Sequence, residues 1–380
     1  MAKHNFENIR SFRDEEVNSK LKELISDKGF IYILKKIFTD KRIANLSEEL
    51  NEVNSVYNFQ TEYISYYVDS LINLSITELN VSGIEKLDKN KSYLFISNHR
   101  DIIFDSALIN HSLLANGHNS SEIAIGNNLL IHKWIETLVR LNKSFIVRRD
   151  LIGKEMLLAS MKLSAYIRDT VANRNSSVWI AQSEGRTKDG NDFTDVALLK
   201  MLNFSGSKDF IKDFSELNII PVSISYEYEP TIESKIFATH AKIKGIEAKK
   251  TIEDDLEDMG RGLYNLKGKV NVTFCDEINT DLSKFDNSEN KNSNFIKLAN
   301  LIDKRIYNNY KLNKNNYIAF DILNNSEKCL RDEKYMKVDE TKMKFQCRKT
   351  IAPLEGDKDL LEKIYYGIYA NPLINKIQLP

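Results

Sequence analysis

The sequence lacks most of the features that mark specialised classes of protein. Its 380 residues include only three cysteines, Cys275, Cys329 and Cys347, which form neither a CxxC pair nor an even set. A disulfide framework is therefore not expected, and the cysteine usage predicts a reducing, cytoplasmic compartment. No sign of charge is in excess, because 54 Lys and Arg balance 54 Asp and Glu. This balance argues against wholesale nucleic-acid binding, so any anion site must be a local cluster of cations.

Long hydrophobic runs are also missing. No window holds the roughly 18 consecutive apolar residues that a membrane-spanning helix needs. The nearest candidate, residues 29–38, is interrupted by Lys35 and Lys36. Residues 1–13 are polar and have no apolar centre of the kind that a secretory signal contains. These absences predict a protein that is soluble or that at most lies on a membrane surface.

The pattern of apolar residues changes along the chain and predicts three regions. Residues 1–80 have helical periodicity and almost no Gly or Pro, which predicts a helical N-terminal segment. In residues 81–280, short apolar runs alternate with helix-like stretches, which predicts an α/β core with a mixed, mostly parallel sheet flanked by helices. The runs are residues 93–97, 123–126, 145–147, 178–181, 219–226 and 270–274.

Residues 281–380 are predicted to form a loop followed by a helical C-terminal extension. Residues 281–294 are polar and rich in Asn and Ser, which is typical of a surface loop. Beyond them, Phe295, Ala299, Ile302 and Ile306 recur at the spacing of one helical stripe. A further helix is predicted around residues 360–369.

The most informative motif is Asn98-His99, which directly follows the strand predicted at 93–97. Loops at the carboxyl ends of strands in α/β sheets collect catalytic groups. An imidazole there, with its tautomer fixed by Asp101 or Asp105, can act as a general base. Alternatively, His99 only forms a hydrogen bond and Asp101 is a helix N-cap. The motif alone does not distinguish these alternatives.

Three further motifs follow in order. Arg148 and Arg149 end the strand predicted at 145–147, and paired guanidinium groups suit a phosphate, although surface pairing with nearby acids is the alternative. The turn Glu184-Gly185-Arg186 offers an acceptor for a hydroxyl, a close backbone approach and a third cation, or else a self-satisfied Glu/Arg pair. The last motif is the apolar strand 219–226, with a proline near its start.

In this order, the four motifs resemble those of the glycerolipid acyltransferase superfamily, which includes glycerol-3-phosphate and lysophosphatidic acid acyltransferases. The resemblance spans roughly residues 90–230. The family places an Asp five residues after its His, but Phe104 stands there in this sequence. If a helix starts at Asp101, Asp105 lies one turn into it, and Asp105 is the preferred partner of His99, with Asp101 as the rival. The third motif reads Ser-Glu-Gly-Arg, whereas well-known members have Pro-Glu-Gly-Thr-Arg.

The resemblance implies a fatty acyl transfer from acyl-CoA or acyl-carrier protein to a hydroxyl of glycerol-3-phosphate or lysophosphatidic acid. It implies that His99 is the general base and that Asp105 or Asp101 orients it. The residues that it implies for substrate binding are Asn98, Arg148, Arg149, Glu184, Gly185 and Arg186. No metal and no cofactor beyond the acyl donor are expected.

Phospholipid synthesis implies a protein that is peripheral on the inner face of the cell membrane. The stripe formed by Phe30, Tyr32, Leu34 and Phe38, next to Lys35 and Lys36, is either an interfacial helix or part of the helical bundle. Two alternative functions remain open. One is an O-acyltransferase for an aminolipid, whose carboxylate suits the same arginines. The other is an inactive lipid-binding relative.

Overall fold

A seven-stranded sheet forms the centre of the protein. The computed structural model describes residues 5–37, 40–207, 209–246, 258 and 260–379. The strands lie in the order β1-β7-β6-β2-β5-β3-β4. They are β1 (Ile76–Ser82), β2 (Leu94–Ser97), β3 (Glu122–Gly126), β4 (Ser144–Val147), β5 (Val178–Ala181), β6 (Ile219–Tyr226) and β7 (Gly268–Phe274).

Five neighbouring strands of the sheet, from β6 to β4, are parallel. β7 runs antiparallel to β6 and parallel to β1 at the edge. Every residue of β2 and β6 is buried, because helices cover both faces of the sheet, and this is why their sequences are nearly continuous apolar runs. The predicted mixed, mostly parallel sheet is confirmed.

Helices make up most of the described N-terminal region up to residue 75, whereas residues 5–13 lie outside them. Its helices are Asp14–Ser26, Lys28–Ile37, Asp40–Asn51, Val56–Asn58 and Ser65–Ser75, with a π-helical turn at Phe59–Ile64. Residues 76–80, predicted as helical, instead begin β1. This strand pairs with β7 along its length, so its conformation is set by a partner almost 200 residues away.

Further helices lie between the strands and after the last strand. Those of the central region are Phe104–Ala115, Lys133–Leu141, Gly153–Ala172, Val196–Leu202, Phe210–Ser215 and Ile232–Lys244. Those towards the C-terminus are Asn279–Leu282, Lys291–Asn309, Lys314–Leu323, Lys328–Arg331, Lys337–Ile351 and Lys358–Gln378. Residues 281–282 and 291–294 of the predicted loop are helical, so the loop is limited to residues 283–290. The helix predicted around 360–369 is longer than expected.

Alternate residues of each strand build separate cores on the two faces of the sheet. Ile96 packs on one face with the Lys291–Asn309 helix, whose buried side chains include the predicted stripe. Phe95 packs on the other face. The N-terminal helices and the C-terminal helices each add a cluster of their own. None of the helices in the described ranges combines the length and the apolar character needed to traverse a bilayer.

Candidate active site

The order of the strands brings the predicted site residues to one edge of the sheet. β2, which leads into His99, lies between β5 and β6, and all three strands are parallel. Their carboxyl ends therefore meet at the same edge. The backbone N–H of Thr187 donates to the carbonyl of His99 at 2.9 Å, so the turn that contains Glu184 is held directly against the histidine loop.

His99 and Asp105 form a hydrogen-bonded pair. The Nδ1 atom of His99 lies 2.8 Å from Oδ2 of Asp105. This carboxylate also accepts the backbone N–H groups of Arg100 at 2.5 Å and Asp101 at 2.9 Å, and its Oδ1 accepts the hydroxyl of Tyr226 at 2.6 Å. Burial raises the pKa of Asp105, but the hydrogen bond and charge of His99 and the Tyr226 hydroxyl outweigh it, and the net pKa is lowered. An ionised Asp105 favours the proton on Nδ1, which leaves Nε2 able to accept a proton.

Asp101 has a different task. Its Oδ1 accepts the backbone N–H groups of Ile103 at 2.9 Å and Phe104 at 2.8 Å. These contacts close the turn that leads into the Phe104–Ala115 helix, as a capping side chain does. Burial and the neighbouring charge of Asp105 raise the pKa of Asp101. The structure thus brings Asp105, rather than Asp101, to the imidazole.

Isosteric substitutions separate the roles of the two aspartates. Asp101→Asn is expected to keep acyl transfer and stability near those of the wild type, because Asn caps a helix about as well as Asp. Asp105→Asn is expected to lower kcat by about 10²–10⁴-fold, because the amide neither fixes the tautomer nor supports the imidazolium. Steady-state kinetics and thermal unfolding of both variants measure the contrast. The reverse pattern would make Asp101 the partner of His99.

The rest of the histidine loop is held by buried contacts. The Trp179 ring packs edge-on against His99 with centroids 5.5 Å apart, and its Nε1 donates to Ser97 at 2.9 Å. Asn98 is fully buried, and its side chain both donates to and accepts from the backbone of Ile224 at 2.8 Å. Asn98 thus ties β2 to β6 and does not line the cavity beside His99, which disfavours the direct substrate contact predicted for it.

A large cavity opens beside His99. Its volume is about 1700 Å³. The N-terminal helices supply apolar side chains to its wall, including Phe30, Leu34 and Leu50. Its polar lining includes His99 and five of the predicted substrate-binding residues, which are Arg148, Arg149, Glu184, Gly185 and Arg186. The structure thus places an imidazole, cations and an extensive apolar wall around one space.

The three arginines differ in how firmly they are held. Arg148 forms an exposed ion pair with Asp150 at 2.7 Å, which is the surface pairing considered as the alternative. Nε of Arg149 lies 3.5 Å from the exposed Glu184. Such exposed pairs contribute only about 0–1 kcal/mol, so an anionic ligand can displace them.

Arg186, in contrast, is buried and already bound. Its guanidinium donates to the Thr231 hydroxyl at 2.6 Å and to Asp258 at 3.2 Å. Breaking a buried ion pair is costly, so Arg186 is poorly suited to leave Asp258 for a ligand. Its contacts instead fit a role in positioning the turn that contains Glu184. Gly185 in that turn has a φ of +73°, which a residue with a Cβ rarely adopts.

Tyr226 is the site residue that the sequence interpretation missed. The apolar pattern places it at the end of a core strand, yet its hydroxyl donates to the Asp105 carboxylate. Burial and the charge of Asp105 raise its pKa well above the usual value, so the phenol remains a donor. A hydroxyl at the carboxyl end of an otherwise apolar strand beside β2 was the available signal. Within the described ranges, no group of three or more His, Cys, Asp or Glu side chains is placed to hold a metal ion.

The central part of the chain matches a known protein family. The family model described as Acyltransferase matches residues 78–225. This stretch is similar to acyltransferase domains. It includes the first three motifs and all but the last residue of the fourth, which agrees with the predicted relation to the glycerolipid acyltransferase superfamily.

The comparison with solved structures includes the 1-acyl-sn-glycerophosphate (LPA) acyltransferase PlsC from Thermotoga maritima. The two are 11% identical, the alignment covers 75% of this chain and 94% of that chain, and the TM-score is 0.36. None of the curated proteins compared with this sequence matches it.

Proposed function

We propose that the protein transfers a fatty acyl group from acyl-CoA or acyl-carrier protein to a hydroxyl of glycerol-3-phosphate or lysophosphatidic acid. The observation that carries this proposal is the His99–Asp105 pair, 2.8 Å apart, at the wall of a cavity that is largely apolar. An acyltransferase domain narrows the chemistry to acyl transfer. The cavity exceeds the roughly 300–1,000 Å³ of ordinary small-molecule pockets, which favours a ligand with a long chain.

In the proposed reaction the substrate itself is the nucleophile. Nε2 of His99 takes the proton of the acceptor hydroxyl as its oxygen attacks the thioester carbonyl. The tetrahedral intermediate collapses, an ester forms, and the carbon–sulfur bond breaks. The imidazolium, supported by Asp105, then returns the proton to the departing thiolate. General-base assistance of this kind contributes about 10²–10⁴-fold to the rate.

The cations near the cavity suit the phosphate of the acceptor. Arg148 and Arg149 can exchange their weak contacts with Asp150 and Glu184 for a phosphate, since guanidinium forks bind phosphate oxygens in a bidentate manner. The released Glu184 carboxylate is then available to accept a glycerol hydroxyl. Because either acceptor is made into a lipid, the reaction is proposed to occur at a membrane surface.

Products formed from a mixed pool of substrates test this proposal. The purified protein is incubated with acyl-CoA and acyl-carrier-protein thioesters together with glycerol-3-phosphate, lysophosphatidic acid and aminolipid acceptors. Mass spectrometry is expected to find acylated phosphate acceptors, because two weakly held arginines face the cavity. A product formed only from an aminolipid would contradict the acceptor assignment, and no product at all would favour an inactive lipid-binding protein.

A matched pair of variants links the acceptor to the arginines. Arg149→Ala is expected to raise KM for the phosphate acceptor about 10–100-fold, as expected from the loss of a charged hydrogen bond of about 1.5–3 kcal/mol. The control is Arg13→Ala, which removes another exposed arginine that pairs with Glu7 at 3.2 Å. The control is expected to leave KM unchanged.

A further inference from the structure

An exposed apolar segment follows the two arginines of β4. We call it the 151–161 segment, and its apolar members are Leu151, Ile152, Met156, Leu157, Leu158 and Met161. The Ile152 side chain is 85% exposed and Leu158 is 55% exposed. All residues from 152 to 158 are exposed, so the first turn of the Gly153–Ala172 helix projects from the body of the protein. A cluster of this kind marks an interaction site, whereas isolated exposed apolar residues do not.

The 151–161 segment lies at the cavity that contains His99. Leu151, Met156, Leu157 and Leu158 line that cavity and, apart from the half-buried Leu151, are also exposed to solvent. The segment thus forms part of the wall between the reaction space and the outside. A lipid that entered here would remain in contact with apolar side chains.

The charges around the segment are mainly positive. Residues 148–162 contain four basic residues (Arg148, Arg149, Lys154 and Lys162) and two acidic ones (Asp150 and Glu155), so four minus two gives +2, whereas the whole chain has +0. The N-terminus of the Gly153–Ala172 helix adds partial positive charge at the same place. Apolar side chains with flanking cations fit the surface of an anionic bilayer.

From this placement we infer that the 151–161 segment docks the protein on an anionic lipid surface. The inference rests on the proposed function only in requiring a lipid reactant; the docking itself is independent of catalysis. A second copy of the chain fits less well, because a two-fold interface would oppose the same positive segment to itself. The apolar side chains enter the bilayer, and the mouth of the cavity then faces the lipid.

This surface differs from the one considered from the sequence. Phe30 and Leu34 are buried in the cluster of the N-terminal helices, as the alternative of a helical bundle requires. Tyr32 on the same helix is exposed, and Phe38 lies outside the described residues. The stripe therefore lacks the continuous apolar face that an interfacial helix needs.

Flotation with vesicles of phosphatidylglycerol and phosphatidylcholine tests the docking surface. The triple variant Ile152→Gln/Leu157→Gln/Leu158→Gln is expected to lower the vesicle partition coefficient at least about tenfold, because apolar burial in the interface is lost without a change of charge. The control, Phe345→Gln/Val338→Gln, changes two exposed apolar residues of the Lys337–Ile351 helix and is expected to bind like the wild type. Omitting phosphatidylglycerol is expected to weaken wild-type binding.

Three results would overturn the inference. One is equal vesicle binding by the triple variant and the wild type. Another is the same loss in the control. The third is sedimentation showing that the triple variant breaks a dimer while vesicle binding is unchanged, which would make the segment an interface between copies.

Turnover in solution separates this inference from the proposed function. This comparison uses the double variant Ile152→Gln/Met161→Gln, because both side chains are exposed and neither lines the cavity. The double variant is expected to bind vesicles more weakly than the wild type, and to keep the wild-type rate with glycerol-3-phosphate and a soluble thioester in the absence of vesicles. If both proteins are inactive but only the wild type floats with vesicles, the docking surface stands and the proposed reaction fails.

Discussion

Replacement of His99 by alanine is expected to abolish measurable acyl transfer while leaving the protein folded. The imidazole is the base of the proposed reaction, and its removal takes away both proton transfer to Nε2 and the positioning by Asp105, a loss of about 10²–10⁴-fold or more. The side chain is 14% exposed and lies at the cavity wall, so its loss leaves little of the core unfilled. Asp105 keeps its contacts with two backbone N–H groups and with Tyr226.

Release of free thiol from a labelled acyl thioester measures the effect. Circular dichroism and thermal unfolding show whether the variant is folded, and a cost of about 1.5–3 kcal/mol is expected from the lost hydrogen bond to a charged group. His118→Ala is the matched control. His118 lies beyond the far end of the Phe104–Ala115 helix and outside the cavity lining, and its replacement is expected to leave turnover unchanged. Near wild-type turnover by folded His99→Ala would exclude the mechanism.

The sequence sufficed to predict the central strands because each carries a local signal. The apolar run in β6 is buried along its whole length, so its apolar composition directly indicates a buried strand. β1 was missed because its middle is exposed and its conformation depends on pairing with β7. Local periodicity describes what a segment buries, but it does not identify a partner that is far away in sequence.

The same distinction applies to the candidate site. His99 and Asp105 are six residues apart, and their pairing follows from a loop that folds back over the first helical turn. Tyr226 joins them from 121 residues away. The apolar wall from the N-terminal helices required the packing of distant segments. No local pattern encodes such contacts, so the sequence predicts only the pairing of His99 with Asp105.

Contacts with distant parts of the chain also surround Arg100, the residue that follows His99. Its guanidinium is buried and lies 2.7 Å from Asp192 and 3.1 Å from Glu229. Lys235, also buried, pairs with Glu229 and donates to the carbonyl of Arg100 at 2.7 Å. The backbone N–H of Glu229 donates to the hydroxyl oxygen of Tyr369, in the last helix, at 3.0 Å. This network connects the C-terminal extension to the backbone next to the candidate base.

Arg100→Met is expected to lower the free energy of unfolding by about 3–5 kcal/mol, because it leaves the buried carboxylate of Asp192 without its cation. The matched control is Arg148→Met, which breaks an exposed Arg–Asp pair and is expected to cost no more than about 1 kcal/mol. Urea unfolding monitored by circular dichroism measures both. Equal effects of the two substitutions would contradict a structural role for the network.

The loss of unfolding free energy in Arg100→Met is expected to depend on pH. Burial raises the pKa of Asp192 to about 6, although the charge of Arg100 acts to lower it. Without Arg100 the pKa rises further above the value of about 3.9 in the unfolded chain. A carboxyl whose pKa is raised by folding destabilises the fold when ionised, so stability increases as the pH falls through the folded pKa towards the unfolded one. The deficit of Arg100→Met relative to the wild type is therefore expected to be larger at pH 8 than at pH 5, and an equal deficit at both would mean that Asp192 is not the unpaired charge.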